Sequence, residues 1–181
     1  MTKVLIPLAQ GCEELEAVTV IDILRRAGIQ VITAGLDAGP VRASRGTVLV
    51  PDATLEDALQ NEFDMIVLPG GMPGSEHLKN DQRVIAALQK AAADGKYTAA
   101  ICAAPMALHA AGLLQGKKAT SFPGVLDALS GSHTAVNDRV VVDGRIVTSK
   151  GPGTAMDFAL TLVELLVGKS ERDAVESDLQ R

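Results

Sequence analysis

The sequence predicts an α/β fold, a doubly wound, mostly parallel sheet sandwiched by helices. Short apolar runs such as Val4 to Leu8 and Asp64 to Leu68 carry no polar alternation, which marks strands covered on both faces. Amphipathic stretches separate these runs, as the crossover helices of βαβ units do. Glycine-containing loops follow several strands, at the carboxyl edge where doubly wound sheets bind their ligands.

Taken in order, Val4 to Leu8 is the first strand and Glu13 to Arg26 the first helix. Its early Glu13, Glu14 and Glu16 suit the N-terminal end of the helix dipole, and Arg25 and Arg26 suit the other end. Gly28 stops it. Val31 to Leu36 is a second strand. Val41 to Ala43 and Thr47 to Val50, around Ser44-Arg45-Gly46, form a hairpin off the main sheet. Asp64 to Leu68 is a core strand that runs into the loop Pro69 to Gly74, and Arg83 to Ala93 is the next helix. Thr98 to Cys102 is another core strand, feeding a helix from about Ala103 to Ala111. Ala119 to Phe122, Val140 to Val142 and Arg145 to Ser149 complete the sheet, the last two joined by Asp143-Gly144, a dipeptide that favours a tight primed turn. Gly151-Pro152-Gly153 opens a long helix from Thr154 to Val167, and Ser170 to Leu179 forms a final one. No repeat or linker divides the chain, so residues 1 to 181 are expected to form one domain.

Composition narrows the function. The 181 residues hold 17 Lys and Arg against 22 Asp and Glu, a formal net charge of −5, and only 2% aromatics. A basic footprint and stacking side chains are both missing, which argues against nucleic-acid binding. The 47% apolar content supplies a full core. The N-terminus shows no charged, apolar and cleavage-site succession, so a cytoplasmic protein is expected, with no membrane partner. The two cysteines, Cys12 and Cys102, lie far apart and read as thiols of a reducing compartment, not as a disulfide or a metal site.

Cys102 carries the clearest chemical signal. It ends a strand and abuts a helix in the run Ala99-Ala100-Ile101-Cys102-Ala103-Ala104-Pro105. A sharp strand-to-helix turn of this kind is a nucleophile elbow, and small neighbours allow the backbone to make it. Free N–H groups at the start of the following helix would favour the thiolate and hold a developing oxyanion. A packed core cysteine fits the same spacing. The Gly70-Gly71 pair follows a core strand at the same edge, where its N–H groups can approach a ligand without a Cβ in the way. A carboxyl from Glu13, Glu14 or Glu16 could reach the sulfur, and partial burial would raise its pKa until it became a proton donor. Glu13 and Glu14 are equally explained by the helix dipole.

None of the histidines, His77, His109 and His133, forms a recognisable triad with the thiol. His109 stands seven residues beyond Cys102, about 10 Å along a helix axis. Cys12 sits among carboxylates that oppose its ionisation and reads as a spectator. Gly151-Pro152-Gly153 lacks a nucleotide-binding pattern and reads as a structural turn.

These residues resemble the ThiJ/PfpI superfamily, and within it the parkinsonism-associated protein-deglycase branch with its bacterial YajL-type members. The resemblance rests on Gly11-Cys12-Glu13-Glu14-Leu15-Glu16, Arg25-Arg26-Ala27-Gly28-Ile29, Ser44-Arg45-Gly46, Val67-Leu68-Pro69-Gly70-Gly71, Ala100-Ile101-Cys102-Ala103-Ala104-Pro105 and Thr148-Ser149-Lys150-Gly151-Pro152-Gly153-Thr154, in that order along nearly the whole chain. It implies a flavodoxin-like fold and a homodimer. It also implies Cys102 as the reactive elbow cysteine, Glu16 as its hydrogen-bonded glutamate, and the backbone N–H groups of Gly71 and Ala103 as the oxyanion hole. Gly70, Arg26, Arg45 and Ser149 match positions that line or approach the site, some from the neighbouring subunit. Phe122 stands where several members carry a histidine facing the cysteine, so the resemblance does not extend to a Cys–His pair or to amidotransferase and protease chemistry.

The expected activity is that of a glyoxalase or deglycase acting on 2-oxoaldehydes such as methylglyoxal and glyoxal, or on their early adducts with amines and thiols, with no metal or organic cofactor. The alternative is a redox-responsive chaperone and stress sensor, which would oxidise a low-pKa Cys102 and bind unfolded client proteins.

Overall fold

A computed structural model describes residues 1–181. In chain order the elements are β1 (Lys3–Leu8), α1 (Glu14–Arg26), β2 (Gln30–Gly35), β3 (Val41–Arg42), β4 (Val48–Leu49), β5 (Ala53–Thr54), α2 (Leu55–Ala58), β6 (Met65–Leu68), α3 (Gly74–Asn80), α4 (Gln82–Ala93), β7 (Tyr97–Ile101), α5 (Pro105–Ala110), β8 (Lys118–Ala119), β9 (Thr134–Ala135), β10 (Val140–Asp143), β11 (Ile146–Ser149), α6 (Ala155–Val167) and α7 (Lys169–Asp178). A 3₁₀ turn, Pro152–Thr154, leads into α6.

The main sheet has seven strands in the order β10-β11-β7-β6-β1-β2-β5. All neighbours are parallel except the β10–β11 hairpin, as the Asp143-Gly144 turn predicts. The order reverses at β1, with β2 on one side and β6 on the other, which places a topological switch point at its carboxyl end.

The strands lack polar alternation because the two faces of the sheet feed two separate apolar cores. Val4, Ile6, Met65, Val67, Ala99 and Ile101 join one core with Ile23, Leu24 and Phe158 from α1 and α6. Leu5, Ile66, Leu68 and Ala100 join the other with Leu88 and Leu108 from α4 and α5. Helix starts follow local chemistry: Glu13 caps α1 by accepting from the Leu15 N–H at 3.1 Å, and Asp81 caps α4 by accepting from the Arg83 N–H at 2.9 Å. No helix is long and apolar enough to cross a membrane.

The structure corrects one element. Ala119 to Phe122 does not extend the main sheet; β8 ends at Ala119 and pairs with β9 in a separate two-stranded ribbon. Beyond it the Thr120 N–H donates to Thr148 Oγ1 and the Phe122 N–H to the Cys102 carbonyl, so the chain crosses the end of the sheet instead of pairing along it. The edge strand β5 and the short helices α2 and α3 are additions, each too short to show a period in the sequence.

Candidate active site

The carboxyl ends of β1, β6, β7 and β11 meet at Cys102. Its φ of 65° makes it, with Gln180, one of two non-glycine residues in the left-handed region. Such backbone strain persists only where its surroundings hold it. Here the Cys102 N–H donates to the Ser149 carbonyl at 2.9 Å and its carbonyl accepts from the Phe122 N–H at 2.8 Å. Ala103 and Ala104, both buried, leave room for the turn. Cys102 as a whole is 9% exposed.

Glu16 projects from the first turn of α1 and is fully buried. Its Oε2 accepts from the Gly70 N–H at 2.8 Å. The two side chains converge over Gly70, where an added Cβ would lie 2.5 Å from the Cys102 Cβ and 2.6 Å from Glu16 Oε2. Position 70 is therefore glycine for space. Gly71 is glycine for both space and conformation: its φ is +88°, and a Cβ there would sit 2.4 Å from the Glu13 nitrogen.

Electrostatics bind the pair together. Burial, opposed by the Gly70 N–H and the Cys102 thiol, pushes Glu16 up to about 7. Burial first, then the charge of Glu16 and its hydrogen bond with the thiol, push Cys102 up to about 12, against the N–H groups of Gly71 and Ala103 that donate toward the sulfur. This corrects the expectation of a low-pKa thiol. The two groups titrate as a unit, losing a first proton near 7 and holding the second to about 12. Above about 7 the pair carries one proton and one charge, and within it thiolate forms when Glu16 takes the proton.

The other expected residues separate. Ser149 is fully buried beneath the elbow, its Oγ bonded to the Arg139 carbonyl and to Thr154 Oγ1, both at 2.7 Å. It positions the backbone that holds Cys102. Arg26 is not brought to the thiol within this chain; it ends α1, ten residues from Glu16 and so about 15 Å along the helix, and pairs with Asp22 at 2.6 Å. Arg45 lies exposed in the β3–β4 turn, its backbone N–H on the Glu14 carboxylate at 3.0 Å. Cys12 is buried, and burial followed by the charge of Glu14 pushes its thiol up to about 11. His109 and His133 stack edge to face at a centroid distance of 5.5 Å, and His77 is exposed on α3.

Thr154 belongs to the site's framework and was not singled out by sequence reasoning. Its Oγ1 accepts from the Gly151 N–H at 3.1 Å and is hydrogen-bonded to Ser149 Oγ, clamping the loop beside the thiol. The only signal for it was its place at the end of the Thr148-to-Thr154 run. A surface concavity of about 560 Å³ beside Leu59, Phe63 and Lys90 contains none of these groups. At the thiol a sulfur, a buried carboxyl and two N–H donors lie together, a set of groups able to support addition to a carbonyl.

Comparison with known proteins places this geometry among relatives. The model of the DJ-1/PfpI family matches residues 2–165. The chain is 49% identical over 179 residues to Protein DJ-1 homolog A of Arabidopsis thaliana, covering 97% of this chain and 46% of that protein. It thus spans less than half the length of that relative. It is 36% identical over 167 residues to the glutathione-independent glyoxalase DJR-1.2 of Caenorhabditis elegans, covering 92% of this chain and 89% of that protein. The crystal structure of Drosophila melanogaster DJ-1beta superposes with a TM-score of 0.95 at 41% identity, covering 99% of this chain and 97% of that one.

Proposed function

The chain belongs to the DJ-1/PfpI family, and from that premise we propose that it is a cysteine-dependent glyoxalase and deglycase. Its substrates would be 2-oxoaldehydes such as methylglyoxal and glyoxal, or their early adducts with amines and thiols. The observation that carries this reading is the convergence of the Cys102 thiol, the proton-exchanging Glu16 and the N–H groups of Gly71 and Ala103. The glyoxalase name of the Caenorhabditis elegans relative supports it.

The Glu16 carboxylate takes the thiol proton as the sulfur adds to the aldehyde carbon. The carbonyl electron pair moves onto oxygen, where the Gly71 and Ala103 N–H groups receive it, and Glu16 returns the proton to give a hemithioacetal. Moving the proton of that carbon to its neighbour through an enediol yields a 2-hydroxy thioester. Water then hydrolyses the thioester and frees the thiol. The sum is aldehyde plus water to 2-hydroxy acid, with no external oxidant or reductant. Each N–H donor is asked for roughly 10²–10³ in rate and the carboxyl for roughly 10²–10⁴.

A homodimer belongs to the proposal. Exposed Leu15 and Val18 on α1 and Val48 and Val50 on the hairpin supply apolar surface for it, and from there Arg45 could serve a neighbouring subunit. Membership of the bacterial YajL-type branch and a cytoplasmic location are proposals resting on the sequence motifs. The test of the activity is lactate formation from methylglyoxal without glutathione. Cys102→Ala should lose at least about 10³-fold, and a variant at the wild-type rate would contradict the mechanism.

The same geometry favours a second reading, a redox-responsive chaperone. A sulfinate at Cys102 would find the two N–H donors and a protonatable carboxyl ready for its oxygens. After mild peroxide, intact mass should show oxygen gained at Cys102 and aggregation suppression should rise. A protein that gains no oxygen there excludes this role.

A further inference from the structure

We infer that the cleft between Phe122 and the Gly151-Pro152-Gly153 turn is the subsite for the substituent on the substrate's ketone carbon, and that it selects neutral aryl and branched alkyl groups over hydrogen. The inference rests on the glyoxalase reading and adds a specificity to it.

Space around the sulfur is uneven. On the Gly70 side the backbone and Glu16 close directly onto Cys102, as the 2.5 Å and 2.6 Å approaches to an added Cβ show. On the Gly151 side an added Cβ would make only ordinary contacts, 4.0 Å from Cys102 Sγ and 3.4 Å from the Phe122 ring. The thiol and the ring edge therefore border the same small space, kept open because residue 151 has no side chain. With the aldehyde carbon on sulfur and its oxygen on the Gly71 and Ala103 N–H groups, the rest of the substrate has this space to enter.

Phe122 and Gly151, which border this space, also line a surface cleft of about 270 Å³. That is below the roughly 300–1,000 Å³ of pockets that bury a drug-sized ligand, and it suits one ring or a branched chain. Its walls are the Phe122 ring and the rigid rings of Pro123 and Pro152. Phe122 is 50% exposed, although the chain has only four aromatic residues and a core in which to bury them. Its backbone N–H is tied to the Cys102 carbonyl, so the ring is anchored directly to the elbow.

The two cations at the rim are engaged elsewhere. Arg139 pairs with Asp157 and donates to the Gly153 carbonyl at 3.1 Å, and Lys150 donates to Asn137 Oδ1 at 2.6 Å. The cleft walls thus present aromatic and aliphatic surface, which suits an uncharged group. A flat aryl group gains contact with Phe122, whereas the hydrogen of glyoxal gains nothing there.

Two measurements separate this specificity from the activity itself. The first is the ratio of kcat/KM for phenylglyoxal to that for glyoxal, in the wild type and in Phe122→Ala. The second needs no turnover: the rates at which Cys102 is alkylated by phenacyl chloride and by chloroacetone, each divided by its rate with free glutathione. In the wild type both ratios should favour the aryl reagent. Phe122→Ala should lower them about twofold to tenfold, the worth of an aromatic pair. Gly151→Val, which fills the space between ring and sulfur from an extended backbone, should lower them at least about tenfold. If no aldehyde is turned over but the alkylation preference persists and falls in both variants, the glyoxalase reading fails and the subsite stands. If the normalised alkylation ratio equals one in the wild type, or is unchanged in both variants, the subsite is overturned.

Discussion

Cys102 and Cys12 are both buried thiols with a glutamate beside them, and they differ in what that glutamate can do. Beside Cys12, Glu14 is accessible; its burial penalty is outweighed by its own backbone N–H and those of Arg45 and Thr47, which hold it down to about 2. It is a fixed charge, and it can only repel a thiolate. Beside Cys102, burial holds Glu16 up to about 7, so the same side-chain type can accept and return a proton. The Gly71 and Ala103 N–H groups add donors at Cys102. A carboxyl next to a thiol is thus an obstacle or a partner according to its own solvation.

The largest effect that probes this contrast is on turnover. Glu16→Gln keeps the shape but cannot exchange the proton, and it should lower kcat/KM for methylglyoxal by roughly 10²–10⁴. It should also remove the rise in rate with pH through about 7. Steady-state profiles from pH 5 to 9 check both.

Stability should move in opposite directions at the two glutamates. Glu16 is raised from 4.5 to about 7 on folding, so the protonated form favoured below 4.5 is lost as pH rises through 7. The folded state then forfeits about 3 kcal/mol at alkaline pH. Urea unfolding should show Glu16→Gln more stable than the wild type by up to that amount at pH 8.5 and equal to it near pH 4.5. Glu14 is lowered on folding, so its contribution is present above 4.5 and disappears as pH falls through about 2. Glu14→Gln should therefore be destabilised at neutral pH, and the difference should shrink as pH falls toward 2. The smallest effect is at the other thiol: Cys12→Ala should form lactate at the wild-type rate, because it removes only a buried sulfur and leaves the backbone that packs on Gly71 in place.

The strands were legible because burial on both faces leaves unbroken apolar runs such as Met65–Leu68. The elbow was legible because a strand, a cysteine and small residues are contiguous in sequence. Ala53–Thr54 and Lys118–Ala119 were not, since two-residue pairings are decided by where the chain already lies. Glu16 was separable from Glu13 and Glu14 only through the family resemblance. The sequence-based expectation of a low Cys102 pKa fails because burial of the thiol, and then the charge of Glu16 beside it, outweigh the Gly71 and Ala103 N–H donors, and neither follows from a local pattern. The cleft at Phe122 joins residues far apart in the chain and becomes visible only once the Gly151 loop is folded beside the thiol.

The most direct test of the coupled pair is the pH dependence of Cys102 alkylation by iodoacetamide, measured in the folded protein with Cys12→Ala to isolate one thiol. The account predicts a rate that rises through an apparent pKa near 7, with that step abolished by Glu16→Gln. A single step near the free-thiol value of about 8.5, unchanged by Glu16→Gln, would contradict it.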